Sequence, residues 1–413
     1  MTSRQVVLLL LDLALIIGVA RSLGAVAERL GQPPVIGEVL AGVLVGPSLF
    51  GAGFSEAVFP GDIRPFLAAL GNVGVAMFMF VVGLELDRTL LRGRGPVAVT
   101  VSLSSLLVPF TLGAALAALG LSRHQPGGNE AGFVLFIGAA MAVTAFPVLA
   151  RILTDRRMHR TELGGLALTC AAIGDVLAWS LLVVVVVLSG GGGGELWLIT
   201  LLPVYAALMF WGVRPLLRRF LAATSSRGPV PLTVTLAGVL VSGAVTEWIG
   251  LHFLFGAFLF GAVVPRDGTE RLREEIFARV GEFNATLLLP VFFVVAGLNV
   301  DLSGIGTAGL VELLLVLLVA IAGKFGGAFA GARLHRLPVR QSAALATLMN
   351  TRGLTELIIL SVGLRLGVLD RQLYSIMVVM AVVTTAMAGP LLRVIYPQRL
   401  IEIERDHRYA LKG

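Results

Sequence analysis

Lysine is almost missing from this chain. It occurs only at Lys324 and Lys412, and arginine supplies the rest of the 32 basic residues. Charge of either sign is scarce: 14% of the 413 residues are charged against 57% hydrophobic, and mean hydropathy is +0.92. So little charge excludes a soluble globular protein. A single cysteine, Cys170, excludes an internal disulfide and a cysteine-rich metal site. The five histidines are scattered, and no HExxH, Walker-type or GxSxG arrangement occurs. The sequence pI near 10.4 would suit a nucleic-acid partner. The arginines, however, sit in short loops between apolar runs and form no groove-sized patch, so no nucleic-acid partner is expected.

Long apolar runs fill the chain instead. A transmembrane helix needs roughly 20 apolar residues. Thirteen candidate spans are read at 5–23, 35–52, 65–86, 96–119, 132–153, 163–188, 195–221, 231–248, 250–264, 277–298, 309–333, 341–367 and 372–396. The connections are too short for a catalytic or nucleotide-binding domain. Fifty glycines suit close helix packing in lipid. The first span lacks a clear cleavage signature and is kept as a helix, not a signal peptide. One set of alternate loops carries Arg4, Arg64, Arg123, Arg365 and Arg371; the other set, with the tail, carries 25 of the 32 basic residues. Lys324 and Arg352 lie within spans. The positive-inside rule then puts the N-terminus outside and the C-terminus in the cytoplasm of a cell-membrane protein, which requires an odd number of spans.

Thirteen spans divide as six, one and six, giving two units of opposite topology, the pattern of inverted-repeat transporters. The fifth span of each unit is interrupted. In one, Met141–Pro147 places proline inside an apolar run, which removes a backbone donor. In the other, Met349–Gly353 places polar groups and glycine at the matching position. Non-helical backbone at membrane depth is tolerated only inside protein or beside water, so paired interruptions point to a midplane binding site. Ser189–Gly194, one serine and five glycines, reads as a flexible linker.

Asp175 stands alone in the apolar stretch 163–187, and Lys324 in the stretch 319–327. A central charge costs roughly 2.5–3.5 kcal/mol on insertion scales. Each must therefore face a cavity, find a partner or lose its charge. One central acid and one central base together read as a proton or cation pathway. A carboxylate capped by hydroxyls and a snorkelling lysine are the plainer readings.

Several blocks carry a resemblance: Gly31–Pro47 (GQPPVIGEVLAGVLVGP), Phe80–Asp87 (FVVGLELD), Ala145–Leu153 (AFPVLARIL), Gly250–Gly261 (GLHFLFGAFLFG), Pro290–Leu298 (PVFFVVAGL) and Asn350–Ile358 (NTRGLTELI). In order and at these spacings, the chain resembles the monovalent cation:proton antiporter-2 family, the Kef-type and NapA-like exchangers. The last block looks most like its potassium-handling branch. The resemblance implies an all-α polytopic membrane protein with two broken crossing helices, a homodimer in membrane lipid, and no cofactor. It implies a scaffold or dimer part at about 1–95 and 228–300, and a core ion-translocating part at about 96–190 and 305–396. The linker helix would be at about 195–221 and a cytoplasmic tail at 397–413. Core moving against scaffold would give elevator-type alternating access.

At the centre the family usually carries two tandem residues, Asp-Asp or Asn-Asp. This chain has Gly174-Asp175. The carboxylate that the family uses as shared cation and proton carrier is present as Asp175, and the acid that normally faces the basic residue is replaced by Gly174. Lys324 is therefore expected to pair with Asp175 itself, and exchange is expected to be electroneutral. Thr144, Asn350 and Thr351 are candidate oxygen donors to a dehydrated cation, or else only satisfy broken backbone. Arg352 and Glu356, four apart, can form a structural ion pair. Glu38, Glu85, Glu247 and His252 read as interfacial or packing residues; Asp12 and Glu312 have no assigned role. The expected function is exchange of potassium or sodium for protons, with no enzymatic activity. The alternative is an antiporter fold repurposed as a membrane-embedded enzyme on a lipophilic substrate, or as a sensor.

Overall fold

The computed structural model describes residues 2–85, 95–125, 129–156, 158, 161–188, 198–224, 230–249, 253–265, 268–303 and 305–402. Among them no strand occurs. The helices run in order as α1 (Ser3–Arg29), α2 (Pro34–Val45), α3 (Pro47–Val58), α4 (Arg64–Glu85), α5 (Gly95–Gly120), α6 (Glu130–Ala142), α7 (Phe146–Asp155), α8 (Glu162–Leu188) and α9 (Leu198–Ala207). They continue as α10 (Arg214–Thr224), α11 (Val230–Trp248), α12 (Phe253–Val263), α13 (Glu270–Glu275), α14 (Leu289–Leu298), α15 (Thr307–Leu334), α16 (Val339–Met349), α17 (Leu354–Arg365) and α18 (Arg371–Ile395). π-Helical turns at Leu208–Val213, Ile276–Gly281 and Asn284–Leu288 join α9 to α10 and α13 to α14.

Among the described residues, eight helices are long and apolar enough to cross a membrane, and Pro34–Val45, Glu130–Ala142 and Phe253–Val263 are shorter apolar helices. Not every expected span is one helix. The span read at 35–52 is divided between α2 and α3 at Gly46, whose backbone is extended (φ −78°, ψ −175°) and which precedes Pro47. The spans read at 132–153 and 341–367 are each two half-helices. The linker read at Ser189–Gly194 lies outside the described residues.

The chain forms two compact units, each assembled from separated stretches. The first comprises Met1–Val19, Glu56–Leu86 and Val186–Val295; the second comprises Ala20–Ser55, Asp87–Val185 and Ala296–Gly413. In the first, α4 packs on α12 and α11, and Asn284 donates to the Gly74 carbonyl at 3.0 Å. In the second, α15 packs along α5 and onto α16 and α18. Gly323, Gly327 and Gly331 follow one another at helical spacing along α15. A Cβ at any of them would run into α5 at Pro109, Ser104 or Val101. This small-residue stripe lets the two backbones touch. Leu149, Leu166, Ala328, Leu345 and Leu392 belong to one buried apolar cluster in this unit.

Candidate ion-binding site

The candidate site lies in the second unit, around the two broken helices. Asn129 starts α6 by accepting from the Gly132 N–H at 2.9 Å. The helix stops at Ala142 and the chain stays non-helical through Val143, Thr144 and Ala145. Pro147 follows in the first turn of α7, where its missing N–H costs nothing. The other helix stops at Met349 and resumes at Leu354, with Gly353 at φ +146°. The breaks join each other. The Ala145 N–H donates to the Thr351 carbonyl at 3.1 Å, and the Thr144 hydroxyl donates to the Met349 carbonyl at 3.1 Å. Thr385 on α18 accepts from the Arg352 N–H at 3.1 Å and donates to the Arg352 carbonyl at 2.8 Å.

Breaking α6 frees its last carbonyls, and two cations cap them. Arg352 Nη2 donates to the Met141 carbonyl at 2.8 Å and Nη1 to that of Ala140 at 3.4 Å; the Lys324 ammonium donates to the Ala142 carbonyl. Cations belong at the negative end of a helix. The opposite pole serves the acid: the backbone N–H of Phe146, the first residue of α7, donates to Asp175. Lys324 is 1% and Asp175 3% exposed.

The expected direct Lys324–Asp175 ion pair is corrected by this geometry. No contact within 4 Å joins them; Lys324 takes the α6 carbonyl and senses Asp175, Glu356 and Arg352 at longer range. The break frees the Ala142 carbonyl at the negative end of α6, and this carbonyl takes the ammonium. Arg352 Nη1 lies 3.0 Å from Glu356 Oε1, both residues fully buried, and Glu356 falls in the first turn of α17. Asp175 Oδ1, Asn350 Oδ1, Glu356 Oε2 and the Thr355 hydroxyl are buried here with no hydrogen-bond partner. Thr144 and Thr351 are buried, and the Thr351 hydroxyl is turned back onto the Leu348 carbonyl at 2.8 Å. Gly174 is buried, yet a Cβ built on it would meet nothing within 4 Å. Space for a side chain therefore exists beside Asp175.

Of the remaining acids, Glu247 accepts from the Phe253 N–H at 2.7 Å, Glu38 is buried in α2, and Asp12 is buried in α1 with Oδ2 unpartnered. The side chain of Glu85 and all of His252 lie outside the described residues. One cluster had no signature in the sequence. Buried His124 bridges Asp370 (Nδ1 to Oδ2, 2.7 Å) and Glu312 (Nε2 to Oε2, 3.0 Å), and Arg123 reaches the same Glu312 oxygen at 2.6 Å. Asp370 also caps α18 by accepting from the Leu373 N–H at 2.7 Å. Burial opposes the His124 imidazolium, but hydrogen bonds to Asp370 and Glu312, and their charges, outweigh it and hold His124 above its ordinary 6.5. Burial would raise Asp370; the His124 bond and the backbone N–H groups of Leu373 and Gln372 outweigh it and hold Asp370 below 3.8.

The family model for the transmembrane sodium/hydrogen exchanger matches residues 14–396. The Na+/H+ antiporter NhaS4 of Synechocystis is 40% identical, covering 96% of this chain and 99% of the relative. Cation/H+ antiporter 15 of Arabidopsis thaliana is 34% identical over 94% of this chain, and K+/H+ antiporter 1 of Saccharomyces cerevisiae 32% over 96%. The chain spans about half the length of these last two, 48% and 47%. In fold, the chain is similar to the sodium proton antiporter MjNhaP1 of Methanocaldococcus jannaschii, at TM-score 0.71 and 16% identity, covering 96% of this chain and 98% of that one.

Proposed function

The chain belongs to the transmembrane sodium/hydrogen exchanger family, and we propose that it exchanges a monovalent cation, potassium or sodium, for protons, with Asp175 as the shared carrier. It is a multi-pass membrane transporter, not an enzyme. The observation that carries the proposal is Asp175 Oδ1: a buried acceptor with no partner, on a carboxylate held by the N-terminal end of a half-helix, in the unit that also holds both breaks. A dehydrated cation needs several oxygens. Asp175 and Asn350 have unpartnered ones to offer, and Thr144 and Thr351 can turn theirs. Cation and proton compete for the one carboxylate, so binding either expels the other.

Lys324 and Arg352 hold the freed α6 carbonyls beside the site, while Glu356 compensates Arg352. With Gly174 in place of a second acid, one carboxylate carries one cation or one proton, and the cycle is electroneutral. The core part at about 96–190 and 305–396 moves against the scaffold part at about 1–95 and 228–300 as an elevator, in a homodimer with the N-terminus outside and the C-terminus in the cytoplasm. The chain divides into two compact units, but Ala20–Ser55, assigned to the scaffold part, falls in the unit that holds the core stretches. The repurposed-fold alternative, enzyme or sensor, finds no support: NhaS4, aligned along nearly its whole length, is by name an antiporter.

Proton flux in proteoliposomes, driven by added sodium or potassium, tests the proposal. Wild type moves protons when one of the ions is added and does not respond to an imposed voltage; Asp175→Asn inserts and folds but moves none. Cation-linked proton flux at the wild-type rate in Asp175→Asn overturns the assignment of the carrier. Gly174→Asp fits the open space and makes the flux voltage-sensitive.

A further inference from the structure

Away from the ion site, a cavity of about 620 Å³ opens in the second unit where the α1–α2 junction, the end of α7 and the end of α18 meet; its lining includes Glu28, Gln32, Arg151, Arg156 and Arg393. Its charges are unbalanced. Glu28 is taken by Arg151 at 2.9 Å. Arg156 Nη2 donates to the Gly389 carbonyl at 2.7 Å, and the guanidinium also stands close enough to Arg393 to be destabilised by it. Among the described residues, Arg393 has neither a hydrogen bond nor a carboxylate within 4.0 Å. Arg156 is half-buried and Arg393 is exposed at the mouth of the cavity, so an anion that enters meets two guanidinium groups at once. Gln32 adds a second demand. Its amide nitrogen is fixed on the Ala386 carbonyl at 3.2 Å, which leaves Oε1 buried with no donor. The bond to the Gly389 carbonyl, inside α18, occupies one nitrogen of Arg156. It does not account for Arg393 facing it, nor for the unpartnered Gln32 oxygen.

We propose that this cavity binds a phosphate ester that carries a hydroxyl group, with Arg156 and Arg393 on the phosphate oxygens and Gln32 Oε1 accepting from the hydroxyl. Guanidinium forks match phosphate oxygens two by two, and the cavity volume is that of a small-ligand site. The phosphate could belong to a glycerol-type lipid headgroup or to a water-soluble ester; the chemistry recognised is the same. Glu28 and Gln32 fall in the proposed scaffold part and Arg151, Arg156 and Arg393 in the proposed core, so the test reads ligand binding directly and not transport.

The test uses the purified full-length protein in detergent, followed by thermal shift and native mass spectrometry. Three probes are titrated: dioctanoyl phosphatidylglycerol, dioctanoyl phosphatidylcholine and glycerol 3-phosphate. Phosphatidylglycerol is expected to bind at least about tenfold tighter than phosphatidylcholine, which has no headgroup hydroxyl and no net charge. Arg393→Gln, which removes no bond within the protein, weakens it by about tenfold, the loss of one charge-assisted pair. Gln32→Leu removes the preference for the hydroxyl-bearing headgroup. Binding of glycerol 3-phosphate as tight as phosphatidylglycerol assigns the site to a soluble ester; binding of phosphatidylglycerol alone assigns it to lipid. Equal binding of both lipids with no binding of glycerol 3-phosphate, or wild-type affinity in Arg393→Gln, overturns the proposal.

Discussion

The two broken helices of the second unit are interrupted by different means. In the α6–α7 break, the chain leaves the helix through Val143, Thr144 and Ala145, and Thr144 is the sole polar side chain. The freed carbonyls of Ala140, Met141 and Ala142 are satisfied from outside, by Arg352 and Lys324. The α16–α17 break carries its own polar groups, Asn350, Thr351 and Arg352, and turns on Gly353. The first break therefore depends on the second: without Arg352 it would present bare carbonyls to an apolar interior, at a cost of several kcal/mol per group. The second depends on the first through single hydrogen bonds from Thr144 and Ala145 and through the carbonyls that satisfy the buried Arg352 guanidinium. Such asymmetry concentrates positive charge on one pole of α6 and leaves Asp175 at the opposite kind of pole, the start of α7.

Arg352→Leu breaks this arrangement most severely. It strands Glu356, fully buried, and uncaps Met141 and Ala140 together. Removing one member of a buried pair costs about 3–5 kcal/mol, so the variant is expected to lose most of its folded yield and to melt far below wild type. Arg352→Leu with Glu356→Leu should recover part of the loss, because no carboxylate is then stranded. If the single variant melts at the wild-type temperature, the first break does not rely on the second. Gly353→Ala sharpens the comparison next. A side chain at φ +146° costs about 1–3 kcal/mol, and the new methyl would also crowd Val148 Cγ2 at 2.9 Å. A fall in melting temperature smaller than for Arg352→Leu but clear of error is expected; an unchanged one would mean that the second break tolerates an ordinary residue. Thr144→Val probes the reverse dependence. It removes one hydrogen bond to Met349, worth about 1 kcal/mol.

Much of this was legible in the chain. Pro147 and the Asn350–Gly353 run mark both interruptions, because proline lacks a donor and glycine admits positive φ. The Gly46–Pro47 pair divides the second span in the same way, but it sits inside a continuous apolar run that masks the division. The partner of Lys324 was not legible. Sequence displays a lone ammonium and a lone carboxylate and suggests pairing, but the carbonyl that takes the lysine, Ala142, is 182 positions away and has no side-chain signature. Distance along the chain also hid the His124 cluster: its partners stand 188 and 246 residues off, and each looks like an isolated loop or helix-end charge.

That cluster offers the mildest test, and it sharpens the comparison from the other side. Near the breaks, Asp175, Asn350 and Glu356 each keep an acceptor without a partner; around His124 both ring nitrogens and both carboxylates are engaged. An arrangement that is satisfied should contribute stability and bind nothing, and its contribution should follow the protonation of His124. The groups facing the ring are Asp370, Glu312 and Arg123. Because His124 is held above 6.5 when folded, its contribution is fully present below that value and is lost as pH rises through the folded one. Asp370, held below 3.8, contributes above 3.8 and loses its share only as pH falls through its own folded value. Between the two, the end of α5 is tied to α15 and α18 most firmly. Arg123 is 48% and Asp370 34% exposed at the side chain, so solvent screens the effect and keeps it small. Melting temperatures of wild type and His124→Gln, read from pH 5 to 9, should differ most at the acid end of that range and converge toward pH 9, with the proton-exchange rate of Asp175 unaffected at any one pH. A gap that widens as pH rises would mean that the neutral imidazole, not the imidazolium, is the form that ties these helices.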